Sequence, residues 1–214
     1  MQQTQTVSTN KLIFMLVFLC AAIMASVFVY HMSQQQTKMK LVNNENVLLF
    51  PVPRDIKPFE LSTASNTPFT QNNLREHWTL LFFGFTHCSS VCPTTMDVLN
   101  KVYGKLHATY PNLQVALISL DPERDTRAAL LKYVQSFNPD FIGASGKIEE
   151  IRKLQSQLGI YSARDSQAAN YQIQHTPSVM LINPEGKWAG VFKFGMKPDD
   201  MAVAIQQSMN SSLI

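Results

Sequence analysis

The chain has 214 residues, 45% of them hydrophobic and 15% charged, with a net charge of +3. That length fits one ordinary domain plus an appendage, and the apolar fraction is that of a globular protein. It carries no basic run and no basic patch interleaved with aromatics, which argues against nucleic-acid binding.

The first ten residues, MQQTQTVSTN, contain no Arg, unlike a mitochondrial presequence, and are read as a cytoplasmic tail (residues 1–10). From Leu12 to Tyr30 the run LIFMLVFLCAAIMASVFVY carries no charge. As a helix it would be about 28 Å long, close to the hydrocarbon thickness of a bilayer. A cleaved signal peptide has an apolar region of only about 7–15 residues ending at a small-residue site. Here AAIMAS runs straight on into VFVY, and Phe18 and Leu19 are bulky where lipid attachment at Cys20 would want small residues. Residues 11–31 therefore read as an uncleaved single-pass anchor that meets the membrane through residues 12–30, with Cys20 a small apolar lipid-facing residue. Lys11 on one side and Lys38 with Lys40 on the other orient the span only slightly. The expected arrangement is a bacterial inner-membrane protein with its C-terminal domain in the periplasm. Residues 32–46, within HMSQQQTKMKLVNNEN, are polar and aperiodic and read as a tether.

The outer domain, residues 47–214, opens on VLLFPVPRDIKPFELSTASNTPFT, which predicts short strands and a hairpin around Ala64–Thr67. Thr79 to Thr86, TLLFFGFT, is apolar enough to be a strand buried on both faces, and it ends directly at two cysteines. Pro93 suits the first turn of a following helix, which lines up Met96, Leu99, Val102, Tyr103 and Leu106. A second buried strand (113–121), a helix (125–137), the short strand FIGAS and a helix ending at Gly159 come next. TPSVMLINPEGKWAGVFKF holds two strands around a turn at Asn183–Lys187, and PDDMAVAIQQSM closes the chain as a helix. This order predicts an α/β domain with a mixed central sheet flanked by helices. The cysteines sit at the strand-to-helix junction, where ligands gather in such sheets, and the pattern points to a thioredoxin-like fold.

Cys88 and Cys92 are separated by three residues, HCSSVCP. A helix N-terminus favours the thiolate, which is both nucleophile and metal ligand, so position alone leaves redox and metal chemistry open. The redox signature of this fold is C-x-x-C; the longer loop still permits a disulfide, but a crosslink closing so short a loop gains little stability. Cu(I) is well served by two thiolates and one imidazole. Zinc would want a fourth protein ligand, for which no residue is better than His87. Among the histidines, His31 borders the apolar run, His77 precedes the core strand, His87 adjoins Cys88 and would point to the opposite face if the strand continued, and His107 follows on the next helix. His175, in YQIQHTPSVMLI, precedes the strand that this fold places beside the cysteine loop, and is the candidate third ligand. The methionines form no copper-binding cluster.

HCSSVCPTTM, SLDPERDT (119–126) and YQIQHTPSVMLINPEG (171–186) resemble, in order and spacing, the motifs of the Sco/SenC family of membrane-tethered, thioredoxin-fold copper chaperones for cytochrome c oxidase assembly. The resemblance spans about residues 45 to 210. It implies copper, as Cu(I) and/or Cu(II), held by Cys88, Cys92 and His175. It also implies subunit II of the oxidase or another copper-site apoprotein as recipient, and a thioredoxin-like reductant as a further partner. Two other readings stay open. One is a thiol–disulfide oxidoreductase in which Cys88 attacks and Cys92 resolves; the other is a redox or copper sensor that docks to a membrane partner. The chain departs from the family's common pattern at Ser89–Ser90, where Pro-Asp is frequent, and at Gln174, where an acidic residue often precedes the histidine. Thr176–Pro177 stands where thioredoxins carry a cis-proline. Asp121 and Asp125 are expected to cap the helix that contains ALLKY, in preference to serving the site.

Overall fold

The computed structural model describes residues 6–42, 45–166 and 170–211. The chain divides after Leu41 into two units. The first is helix α1 (Thr6–Val42), which holds one stretch, Ile13–Met32, long and apolar enough to cross a membrane. The helix does not stop where the sequence suggested an aperiodic tether but continues to Val42. Gln, Lys, Met and Leu are good helix formers, and no Gly or Pro interrupts QQQTKMKLV, so the lack of an amphipathic period does not end the helix. Residues 1–5 of the expected tail and 43–44 of the expected tether lie outside the described residues.

The second unit starts with β1 (Val47–Arg54), β2 (Glu60–Thr63) and β3 (Pro68–Thr70). The turn between β2 and β3 carries Asn66 at φ 64°, a conformation that Asn tolerates better than most residues. After a single 3-10 turn (Gln71–Leu74) come β4 (Trp78–Gly84), α2 (Val91–Leu106), β5 (Leu113–Ser119), α3 (Arg127–Gln135), β6 (Ile142–Ser145) and α4 (Ile148–Gln157). Two three-residue strands, β7 (Ser162–Arg164) and β8 (Ile173–His175), precede β9 (Val179–Ile182), β10 (Trp188–Phe192) and α5 (Pro198–Ser211).

Eight strands form one sheet in the order β1-β10-β9-β4-β5-β6-β2-β3. The β4–β5 and β5–β6 pairs are parallel and the other pairs antiparallel, which makes the mixed sheet that the sequence predicted. Strand β4 is central because all seven of its residues are buried and it pairs on both edges, with β5 and with β9. Leu80, Leu81, Phe82 and Phe83 are wholly inaccessible, and such burial stabilises by about 1.5–3 kcal/mol per side chain relative to exposure. The apolar stripe of α2 is buried as expected, from Met96 through Leu106. Strands β7 and β8 form a separate two-stranded ribbon that takes no part in the large sheet.

Candidate metal centre

Strand β4 ends at Gly84, and the chain then turns through Phe85–Ser90 before α2 begins. Cys88 lies in that turn, half-buried, and Cys92 is the second residue of the helix, fully buried. Ser90, the N-cap residue, makes no side-chain capping bond. The sulfur of Cys88 accepts the Cys92 backbone N–H instead, at 3.4 Å, so a thiolate occupies the place of a capping oxygen at the positive end of the helix. Pro93 falls in the same first turn, where its missing N–H leaves nothing unpaired.

The candidate third ligand arrives from far along the chain. His175 is the last residue of β8, and its Nε2 lies 3.5 Å from the Cys92 Sγ across a separation of 83 positions. Its Nδ1 is 3.2 Å from the Thr176 carbonyl oxygen. A carbonyl can only accept, so Nδ1 carries a proton there, and Nε2 is the ring nitrogen that faces the Cys92 sulfur. The edges of Phe82 and Phe85 contact the imidazole, with centroids at 5.9 and 6.3 Å. They close the apolar side of the site and limit how the ring can turn.

The two thiols differ sharply. A hydrogen bond from the Cys92 thiol outweighs burial and holds the Cys88 pKa well below its ordinary value; the His175 ring and the backbone N–H groups of Cys92 and Ser90 add to the effect. Cys92 is pushed the other way, first by the same hydrogen bond to Cys88 and then by burial. The two form no disulfide, and the opposed shifts have the pair sharing one proton between a half-buried Cys88 thiolate and a buried Cys92 thiol. Two sulfurs and one imidazole nitrogen form a soft donor set of the kind that suits Cu(I), and copper is the metal these residues fit.

The other histidines stand apart from this set. With β4 ended at Gly84, His87 lies in the turn and not on the strand's far face; its Nδ1 is 3.0 Å from Thr86 Oγ1 and 3.6 Å from Asp125. His77 bonds the Arg75 carbonyl, His107 stacks on Tyr103, and His31 belongs to α1. The Thr176–Pro177 peptide is trans, as are all those described. Gln174 is exposed on β8 beside His175.

Asp121 and Asp125 do not cap α3. The cap is Thr126, whose hydroxyl accepts the Ala129 N–H, because the helix starts only at Arg127. Both aspartates are buried and serve the surroundings of the site. Asp125 accepts from the Thr86 N–H (3.2 Å), the Thr86 hydroxyl (2.6 Å) and the Ser119 hydroxyl (2.7 Å), which pins the chain two residues before Cys88. Asp121 accepts from the Tyr171 hydroxyl and from Arg124 Nε, each at 2.5 Å. Their burial, which a polar loop of this length does not announce in one dimension, is what separates them from capping residues. Sequence reasoning also missed Gly84, where a methyl group would stand 3.0 Å from the Cys92 sulfur and 3.1 Å from Leu117.

The SCO1/SenC family model matches residues 52–210. A protein of Stutzerimonas stutzeri named for copper binding is 33% identical over 173 residues, covering 80% of this chain and 85% of its own. The human mitochondrial SCO1 homologue is 31% identical over 156 residues, which cover 71% of this chain but only 52% of the human protein. Among solved structures, Arabidopsis thaliana ScoI with copper bound superposes with a TM-score of 0.69 at 28% identity, over 72% of this chain and 98% of that one.

Proposed function

The chain belongs to the SCO1/SenC family, and from that premise we propose that it is a copper metallochaperone whose cargo is held by Cys88, Cys92 and His175. The observation that carries this reading is the imidazole Nε2 facing the Cys92 sulfur across 83 positions, a placement that a two-sulfur, one-nitrogen copper site requires and simple thiol exchange does not. Copper-bound relatives with the same fold support it. The thiolate of Cys88 supplies the first bond, the Cys92 thiol gives up its proton to supply the second, and Nε2 of His175 supplies the third. Three protein donors leave the ion open to an incoming thiolate or imidazole, so copper moves to the dinuclear copper site of cytochrome c oxidase by stepwise ligand exchange. The recipient is subunit II or another copper-site apoprotein. Helix α1 holds the protein in the inner membrane of a bacterium with the catching domain, residues 47–214, in the periplasm; residues 1–10 form the cytoplasmic tail and 32–46 a partly helical spacer.

The test is a Cu(I) competition titration of the reduced full chain in detergent, with X-ray absorption to count neighbours. A one-to-one complex with two sulfurs and one nitrogen is expected, and His175→Ala should remove the nitrogen and weaken binding at least tenfold. Unchanged affinity in that variant would overturn the ligand assignment.

A second reading draws on one observation, the depressed pKa of Cys88 with Cys92 as its proton donor, which also suits disulfide exchange. In it Cys88 attacks a substrate disulfide, Cys92 resolves the mixed disulfide, and a thioredoxin-like reductant restores the thiols. Full turnover of a disulfide substrate by His175→Ala, together with unchanged copper affinity, would favour it.

A further inference from the structure

The ribbon that delivers His175 is not part of the large sheet, so no continuous ladder of main-chain hydrogen bonds sets its distance from the cysteines. Its base is tied by Thr176 N–H to the Tyr161 carbonyl and by Gln155 to Ser162, the residue paired with His175. Its other end is held by a different device. Tyr171, four residues before His175 and only 7% exposed, has two guanidinium groups packed over its ring. Arg124, from the loop between β5 and α3, stands 3.5 Å from the ring centroid, and Arg164, from β7, stands 4.3 Å from it. The Tyr171 hydroxyl donates to buried Asp121, which also receives Arg124 Nε, while Arg164 reaches back 2.6 Å to Glu123 on the same loop. An aromatic ring with two cations packed over it and its hydroxyl on a carboxylate has little freedom to shift.

The same loop grips the sulfur half of the centre, because Asp125 pins Thr86 ahead of Cys88. One segment, Asp121–Asp125, thus reaches both the cysteine turn and the histidine ribbon. We propose that Tyr171, clamped by Arg124 and Arg164, is a positioning residue that sets the approach of His175 to the two sulfurs and so tunes how tightly copper is held. The inference rests on the copper reading of the site. Outer residues that orient a ligating imidazole are worth about 10- to 100-fold in metal affinity.

The experiment is a double-mutant cycle on the full chain in detergent, read as Cu(I) affinity by chelator competition and as the nitrogen contribution to X-ray absorption. Tyr171→Leu is expected to weaken copper about 10- to 100-fold with loss of nitrogen scattering, and Tyr171→Phe to fall between it and the native protein. In a His175→Ala background Tyr171→Leu should change affinity less than twofold, since the residue acts only through the imidazole. Native affinity and nitrogen count in Tyr171→Leu would overturn the inference while a loss in His175→Ala left the copper reading standing. Equal weakening with and without His175 would assign Tyr171 to general folding and overturn it too. If His175→Ala itself binds copper normally, the copper reading fails first and takes the inference with it. Should Tyr171→Leu not fold, Arg164→Ala, which removes one cation and its Glu123 bond, replaces it in the same cycle with the same expected and overturning outcomes.

Discussion

At the scale of single residues the centre is governed by which sulfur carries the negative charge. Cys88 sits where a helix N–H, a neighbouring thiol and an imidazole all favour the thiolate, and its pKa is lowered accordingly. Alkylation by iodoacetamide reads the thiolate directly. A thiol of pKa about 8.5 loses roughly 75-fold in rate from pH 8 to pH 6, whereas Cys88, with its folded pKa below that window, should lose less than twofold. Cys92 should stay unreacted in the native state, being buried with a raised pKa. Asp125 makes the second prediction. Its carboxylate satisfies two Thr86 donors and Ser119 in the interior, so Asp125→Ala leaves buried donors unpaired and should cost about 2–4 kcal/mol in urea unfolding. Gly84→Ala crowds the Cys92 sulfur from the strand side and should cost about 1–3 kcal/mol with weakened copper binding. The sequence displayed the three residues that the fold brings together, because cysteines at a strand-to-helix junction and a histidine ahead of a core strand are visible in one dimension. It did not display Asp125 and Gly84, whose importance lies in what folding brings against them.

Among the elements, legibility followed burial. TLLFFGFT and LQVALISL stand out because β4 and β5 are covered on both faces, and the helices of the domain stand out by their apolar stripes. Strands β7 and β8 did not, since SAR and IQH are three residues each, partly exposed, and too short for alternation to register. Yet this ribbon carries His175, the proposed nitrogen ligand. Held to the remainder by side-chain bonds and not by sheet pairing, it is expected to open locally more often than the central strands. Hydrogen exchange of the reduced, metal-free protein should show Asp165 and Thr176, whose N–H groups bridge the ribbon, exchanging at least about tenfold faster than the amides of Leu81 and Phe83. Copper should slow exchange at Thr176, because an ion bonded to His175 binds only the closed ribbon. Equal protection in ribbon and sheet would show that the separate ribbon is not a weaker unit.

For the whole molecule the division after Leu41 assigns separate tasks to the two units. The apolar stretch Ile13–Met32 has the length to span a bilayer, and its exposed Phe, Leu, Ile and Val side chains find no protein core to bury them. Among the described residues the buried core, by contrast, draws every member from Val47 onward, and the three proposed ligands with the loop beside them lie there too. Attachment and copper binding should therefore be separable. A fragment of residues 45–214 is expected to remain in the soluble fraction, to unfold in one cooperative transition and to bind Cu(I) within about twofold of the full chain's affinity, because it keeps all the buried apolar area and every donor. The full chain should sediment with membranes and resist extraction by alkaline carbonate, as a spanning helix does and a surface-bound domain does not. A fragment that folds but binds copper more than tenfold more weakly would mean that residues before Val47 shape the centre, and the assignment of anchor and site to separate units would then be wrong.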